Sequence, residues 1–235
     1  MKSASDTAHT ANSGDLDALG RYALRYVKDG QTIGFGTGRA ASAFVRALGA
    51  SGMKVRGVPT SRGSAELARS LKLELVDLRA APILATDFDG ADEVDSRLNM
   101  IKGLGGALVR EKVVATASRR RIFLVGEEKL VKRLGAHGVL PVEVVPFAVS
   151  LAERQIAKLG LKPKVRVSPD GADFLSDNGN LILDCAVREI SNPARLDRDL
   201  LAIPGVVGTG LFLGIADLVL IAMHDGKIKT LRRKP

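Results

Sequence analysis

A single cysteine, Cys185, stands among 235 residues, so no disulfide can form within the chain and a reducing, cytoplasmic location is expected. Set in the apolar stretch "LILDC", it reads as a buried structural thiol. Tryptophan is absent and aromatic residues make up only 4% of the chain, which leaves few platforms on which nucleic-acid bases could stack. The histidines His9, His137 and His224 lie far apart and show no zinc-ligand spacing. Long apolar runs are missing too. "LFLGIADLVLIAM" is broken by Gly214 and Asp217 and is too short to cross a bilayer, so no membrane partner is expected. The start, "MKSASDTAHTANSGD", has no apolar signal core; residues 1–13, His9 included, are read as a flexible tail. Neither a GxSxG elbow nor a Walker A loop is present.

What remains is a chain with 46% hydrophobic residues, enough for a sizeable core, and a formal net charge of +9. The basic residues are scattered, and only "SRRRIF" and "KIKTLRRKP" are compact. With so few aromatics, nucleic acid is not the expected partner; a small anionic substrate explains the charge more simply.

Leu16, Leu19, Ala23 and Val27 recur at helical spacing, and Gly30 is placed to cap that helix. "QTIGFG" reads as a short buried strand and "RAASAFVRALGA" as the helix after it. "MKVRGV" is a second strand, and Pro59, Ser61 and Ser64 supply a turn and cap before the helix "AELARSLKL". "LELVDL", "PILATDF" and "RIFLVG" are further strands. "GGALVREKVVATAS" and "EEKLVKRLG" are helices, the second closed by Gly135. This alternation predicts an α/β domain with a parallel sheet covered on both faces. From about Pro141 the order becomes β-α-β-β-α-β, that of a ferredoxin-like unit, with "SDNGN" as the turn between its middle strands. "IADLVLIAM" and the hairpin "HDGKIKTL" then return to the first sheet. The expected division is a larger domain over residues 1–136 and 208–235, with a small inserted domain over 137–207.

Three stretches carry candidate chemistry. "GFGTGR", Gly34 to Arg39, joins a strand to a helix, where backbone amides can face an anion; a plain tight turn is the alternative reading. It lacks the third glycine of a dinucleotide fingerprint. The run "DFDGADEVD" packs Asp87, Asp89, Asp92, Glu93 and Asp95 into nine residues. It fails the calcium-loop pattern, because Asp92 and Leu98 stand where glycine and glutamate belong. A looser Mg²⁺ site and a solvated acidic loop remain as competing readings. The third stretch, "IKGLGG", sets Lys102 at the head of a glycine-rich turn that leads into the helix bearing Glu111. A carboxylate base, an ammonium and hydroxyl-binding aspartates are what proton abstraction beside a carbonyl requires. Lys102 would also relieve repulsion among the acids.

The sequence resembles the type A ribose-5-phosphate isomerases. The match comprises "GTG" after the first strand, "DGADE" at Asp89 to Glu93, "IKG" at Ile101 to Gly103 and "REK" at Arg110 to Lys112. It continues with "PVEV", "PF", "DNGN" at Asp177 to Asn180, "IPGVV" and "GLF", in family order from about Asp15 onward. The resemblance implies a Rossmann-like domain with a ferredoxin-like insert and interconversion of ribose 5-phosphate and ribulose 5-phosphate in the pentose phosphate pathway. It implies no metal or organic cofactor, and a homodimer or homotetramer. By carry-over, Glu111 is the base that moves a proton between C2 and C1 through a cis-enediolate, and Lys102 stabilises the oxyanion. Asp89 and Asp92, in the loop with Gly90 and Ala91, hold sugar hydroxyls and help open the ring. Thr37, Gly38, Arg39 and Ala40 cradle the phosphate, and Gly103, Leu104, Gly105 and Lys129 complete the pocket.

Several positions depart from the family pattern. Arg39 and Ala40 stand where serine and threonine usually follow GTG, which removes two hydroxyls and adds a guanidinium. Arg39 either binds phosphate or points to solvent with Ser42 substituting. Asp17 replaces a common lysine, Leu104 a common glycine, and Glu128 a serine before Lys129. The competing functions are a related sugar-phosphate isomerase with another substrate and a non-catalytic sugar-phosphate sensor.

Overall fold

The computed structural model describes residues 11–233. His9 and most of the expected tail lie outside these residues, but Asn12 and Ser13 do not behave as tail. The Asn12 side chain accepts the Asp15 amide at 3.0 Å while Asp15 accepts the Asn12 amide, a capping box that starts helix α1, Ser13–Ala23. Leu16, Leu19 and Ala23 are buried as the spacing predicts. Gly30 does not cap this helix. A short 3₁₀ turn, Leu24–Tyr26, ends it; Val27 is already extended, and Gly30 sits in the following turn with φ +79°.

Strand β1 (Thr32–Phe35) leads into α2 (Arg39–Ser51), then β2 (Arg56–Pro59) and α3 (Arg62–Ser70). As expected, Ser61 and Ser64 form the capping box of α3. "LELVDL" pairs only through β3 (Glu74–Leu75), and "PILATDF" becomes regular only at β4 (Thr86–Gly90). Two short strands, β5 (Glu93–Val94) and β6 (Met100–Ile101), precede α4 (Leu108–Thr116) and β7 (Arg121–Gly126).

"EEKLVKRLG" is not a helix. It makes one 3₁₀ turn, Glu127–Lys129, and then a bridge at Leu130 followed by bends and a turn, because the Val131 amide bonds to the Val94 carbonyl at 2.9 Å and the Gly135 amide to Glu93 Oε2 at 2.6 Å. Backbone partners offered by β5 outweigh a helical side-chain pattern over so short a segment.

The chain continues through β8 (Val139–Val144), α5 (Val149–Lys158), β9 (Lys162–Val165), β10 (Leu181–Ala186), α6 (Pro193–Leu201) and β11 (Val206–Thr209). These form a four-stranded sheet in the order β11-β8-β10-β9, antiparallel throughout. Ala152 and Ile156 of α5 and Leu200 of α6 share its core. This is the ferredoxin-like arrangement. Gly179, in the "SDNGN" turn, takes φ +77°. Strand β12 (Leu211–Phe212) then pairs with β6, and β13 (Leu218–Ala222) and β14 (Ile228–Arg232) close the large sheet.

That sheet has the order β14-β13-β7-β4-β1-β2-β3, with every neighbouring pair parallel except β13 and β14. It is an α/β Rossmann-like fold. Strand order reverses between β1 and β4, and ligands bind at the carboxyl ends of such a switch point. Here those ends carry Gly36 to Gly38 and Asp89 to Asp92. Among the described residues no helix is long and apolar enough to cross a membrane.

Candidate active site

The site begins with two strands in register. Gly34 pairs with Asp87 and Phe35 with Phe88, so "GFG" lies beside "DFD". Alternation along β4 sends Phe88 to one face, where its ring stacks on Phe44 of α2 with centroids 4.1 Å apart. Asp87 and Asp89 point to the other face, toward α4. A Cβ on Gly34 would stand 2.4 Å from Asp87 Oδ1, and a Cβ on Gly36 2.2 Å from Asp89 Oδ1. Glycine at both positions is therefore what admits two carboxyl groups into the core.

Asp89 is fully buried. Its Oδ1 accepts the amides of Thr37 at 3.0 Å and Gly90 at 2.7 Å, and its Oδ2 lies 3.0 Å from Lys102 Nζ. Lys102 Nζ is also 3.2 Å from Glu111 Oε2 and donates to the Gly90 carbonyl at 2.6 Å. Burial opposes the charge on Lys102, but Asp89, Glu111 and Asp92 together outweigh it and hold the ammonium above the usual lysine range. Burial, helped by the charge of Asp89, pushes Glu111 up to about 8 against the opposing pull of Lys102. Asp89 is raised by burial and partly restrained by Lys102. Asp87, beneath them, is raised well above the carboxylate range by burial, and neither of its oxygens has a hydrogen-bond partner. The positive charge that the acidic run requires is Lys102.

The rest of the acidic run has separate duties. Asp92 accepts the Leu104 amide on Oδ2 at 3.0 Å. Glu93, 1% exposed, accepts the amides of Gly135 and His137 at 2.6 Å each and fixes the turn there. Asp95 caps the turn to Asn99.

Glu111 lies one turn into α4, and its sequence neighbours anchor that helix. Arg110 donates to Asn178 Oδ1 at 2.8 Å and to the Asp177 carbonyl at 2.7 Å. On the other side Lys112 Nζ donates to the carbonyls of Thr209 and Leu211 at 2.9 Å each. The motif "REK" thus places two tethers around one inward carboxyl.

A cavity of about 200 Å³ opens at the switch point. Asp92, Lys102 and Glu111 line it, as do Thr37, Gly38, Arg39 and Ala40 from the first turn. Gly90, Ala91, Gly103, Gly105 and Lys129 line it as well. Two expected residues are not in the lining. Asp89 lies below it with its oxygens engaged by Thr37, Gly90 and Lys102, and Leu104 turns a half-exposed side chain away while its amide serves Asp92. Sequence reasoning missed Leu16 and the strand end Leu124 to Gly126, which line the cavity; Glu128, noted in sequence only as a departure beside Lys129, lines it too. The β7 end could have been found only from the strand order.

The first turn starts α2 with Gly38 at φ +100°, a conformation that favours glycine, and no side chain caps that helix. Thr37 Oγ1 is 2.8 Å from both Thr60 Oγ1 and Ser61 Oγ, which fixes the turn against α3. Arg39 is exposed and donates to the Ala11 carbonyl at 2.9 Å. Glu128 Oε2 is buried without a partner. Among the described residues no group of three or more His, Cys, Asp or Glu could hold a metal ion. Cys185 is buried, with its thiol pushed up to about 12 by burial.

The family model for Ribose 5-phosphate isomerase A (phosphoriboisomerase A) matches residues 56–226. A ribose-5-phosphate isomerase A of Roseiflexus castenholzii is 48% identical over 212 residues, spanning 88% of this chain and 91% of that protein. Among solved structures, ribose 5-phosphate isomerase from Plasmodium falciparum superposes with a TM-score of 0.91 at 32% identity, over 95% of this chain and 100% of that one. A D-ribose-5-phosphate isomerase in complex with phospho-erythronic acid gives 0.89 at 33%, with the same coverage of 95% and 100%.

Proposed function

The chain belongs to the ribose 5-phosphate isomerase A family and interconverts ribose 5-phosphate and ribulose 5-phosphate; we propose that Glu111 and Lys102 carry the chemistry of that reaction. The carrying observation is a buried carboxyl 3.2 Å from a buried ammonium on the wall of a cavity at the sheet's switch point.

Glu111 in its ionised form removes the proton from C2 of the open-chain aldose. The C–H electrons form a C1–C2 double bond, and the carbonyl electrons move onto O1. Lys102, kept charged by its neighbours, stabilises that oxygen through a contact already in place before reaction. The proton on O2 passes to O1, and Glu111 returns its proton to C1 to leave a ketone at C2. One base serves both transfers because adjacent carbons of a cis-enediolate present the same face. A carboxyl near 8 suits a group that must both take and give a proton close to neutrality.

Asp92, with one oxygen held by the Leu104 amide, offers the other to a sugar hydroxyl. Asp89 acts from below by fixing Lys102 and the Thr37 amide. The backbone of Thr37 to Ala40, with Lys129, receives the phosphate at the start of α2. Phospho-erythronic acid is a ligand expected to fit the same cavity.

The exposed apolar residues Val145, Phe147, Leu201 and Val207 on the antiparallel unit support a homodimer or homotetramer. Sedimentation of the purified protein tests that assembly. A cytoplasmic location is supported by the lone buried cysteine.

The test of the reaction is proton NMR of ribose 5-phosphate with the protein in D₂O containing EDTA. Ribulose 5-phosphate forming with deuterium entering at carbon supports it. A folded protein that binds the sugar without either change refutes it.

A further inference from the structure

We infer that Arg166, which follows β9 in the antiparallel unit, is a positioning residue for the isomerisation: it orients the Gly103–Gly105 turn so that the Leu104 amide holds Asp92 and the Gly105 amide faces the reacting sugar. This inference rests on the isomerase reading of the cavity.

Arg166 is 63 residues from the turn it holds, and its side chain is only 11% exposed. Its Nε donates to Asp184 Oδ2 at 2.9 Å, and its Nη2 reaches Asp184 Oδ1, a two-point grip that fixes the guanidinium plane. The remaining nitrogen, Nη1, donates to the carbonyls of Gly103 and Leu104 at 3.0 Å each. Two successive carbonyls thus converge on one atom. Phe174 supports the group from beside it, with Arg166 Cζ 5.6 Å from the ring centroid. The same ring fills the space where a Cβ on Gly106 would go.

Peptide planarity turns this grip into a statement about the amides. In a trans peptide the carbonyl and the following N–H point in opposite directions, and no peptide bond here is cis. With the Gly103 carbonyl on Arg166, the Leu104 N–H must point away, and it meets Asp92 Oδ2 at 3.0 Å. With the Leu104 carbonyl on Arg166, the Gly105 N–H must also point away from Arg166. That N–H has no hydrogen-bond partner among the described residues, and Gly105 lines the cavity. One guanidinium therefore sets both the acid that meets the sugar and a free donor on the cavity wall. Gly103 takes φ +104° and Gly106 φ +83°, and the Gly106 amide closes the turn on the Gly103 carbonyl at 3.0 Å; Arg166 fixes how that closed turn faces the cavity.

The experiment compares Arg166→Ala, Arg166→Lys and Asp184→Asn with the wild-type protein in steady-state turnover and in inhibition by phospho-erythronic acid and by inorganic phosphate. Arg166→Ala should lower kcat roughly tenfold to a hundredfold with KM nearly unchanged, because a misplaced donor weakens the transition state more than the bound substrate. Inhibition by phospho-erythronic acid, whose carboxylate carries the kind of negative charge that the oxyanion develops, should weaken in parallel, while inhibition by phosphate stays constant. Arg166→Lys and Asp184→Asn should show smaller losses in the same direction, and they carry the test if Arg166→Ala does not fold. A kcat within about twofold of wild type in all folded variants overturns the inference, as does an equal weakening of phosphate and phospho-erythronic acid. Absence of turnover by the wild-type protein would instead overturn the reading of the cavity.

Discussion

Glu111 Oε2 and Lys102 Nζ lie 3.2 Å apart, and neither side chain is more than 4% exposed. Glu111 Oε2 has no hydrogen-bond partner there, and the ammonium donates instead to the Gly90 carbonyl at 2.6 Å. The pair is held close by charge and burial, with Asp89 Oδ2 3.0 Å from the same ammonium. Removing two ions from water costs several kcal/mol each, so a lysine among three carboxyl groups is stable only because each restrains the others.

The first consequence is a pH profile. Because Glu111 is raised to about 8, it is protonated in the resting protein at lower pH and gains its basic form as pH rises. kcat/KM should fall about tenfold per unit on the acid side, with a limb near that value. A profile flat down to the usual carboxylate range would separate Glu111 from the rate.

Lysine 102 is the counter-charge that restrains Glu111. Lys102→Met should lower kcat by roughly 10²-fold or more, as loss of a preorganised oxyanion donor does. It should also move the acid limb to higher pH, since the lowering influence on Glu111 is gone. Both effects are read from one pH-rate series, with near-ultraviolet circular dichroism to confirm folding.

Gly34 makes room for Asp87. A Cβ there would sit 2.4 Å from Asp87 Oδ1 and 2.5 Å from Val114 Cγ1. Gly34→Ala should cost about 1 to 3 kcal/mol in urea denaturation, the usual range for an overpacked core. In an Asp87→Ala background the penalty should shrink, because one of the two obstacles is removed. Equal penalties in both backgrounds would show that Asp87 is not the obstacle.

The α/β alternation and the βαββαβ order were legible because hydrophobic periodicity and turn residues are local signals. "DGADE", "IKG" and "REK" marked the residues that the fold gathers into one buried cluster, because short runs of unlike residue types stand out in sequence. Other features depend on pairing. That "GFG" lies against "DFD" is a matter of register, so Asp89 read as an acid beyond the strand end, and the burial of both Asp87 and Asp89 in the core did not show. The lining at Leu124 to Gly126 follows from strand order, and the grip of Arg166 on Gly103 and Leu104 spans residues far apart in sequence. "EEKLVKRLG" misled for the converse reason: its local pattern is helical, but the edge at Val94 and the carboxyl of Glu93 claim its backbone.

The most direct test of the account is Glu111→Gln, which keeps the side chain's shape and removes its basicity. With ribose 5-phosphate in D₂O, kcat should fall by roughly 10²-fold or more and deuterium entry at carbon should fall with it. Binding of phospho-erythronic acid should persist. Near-normal turnover with normal deuterium entry would contradict the assignment of Glu111 as the base.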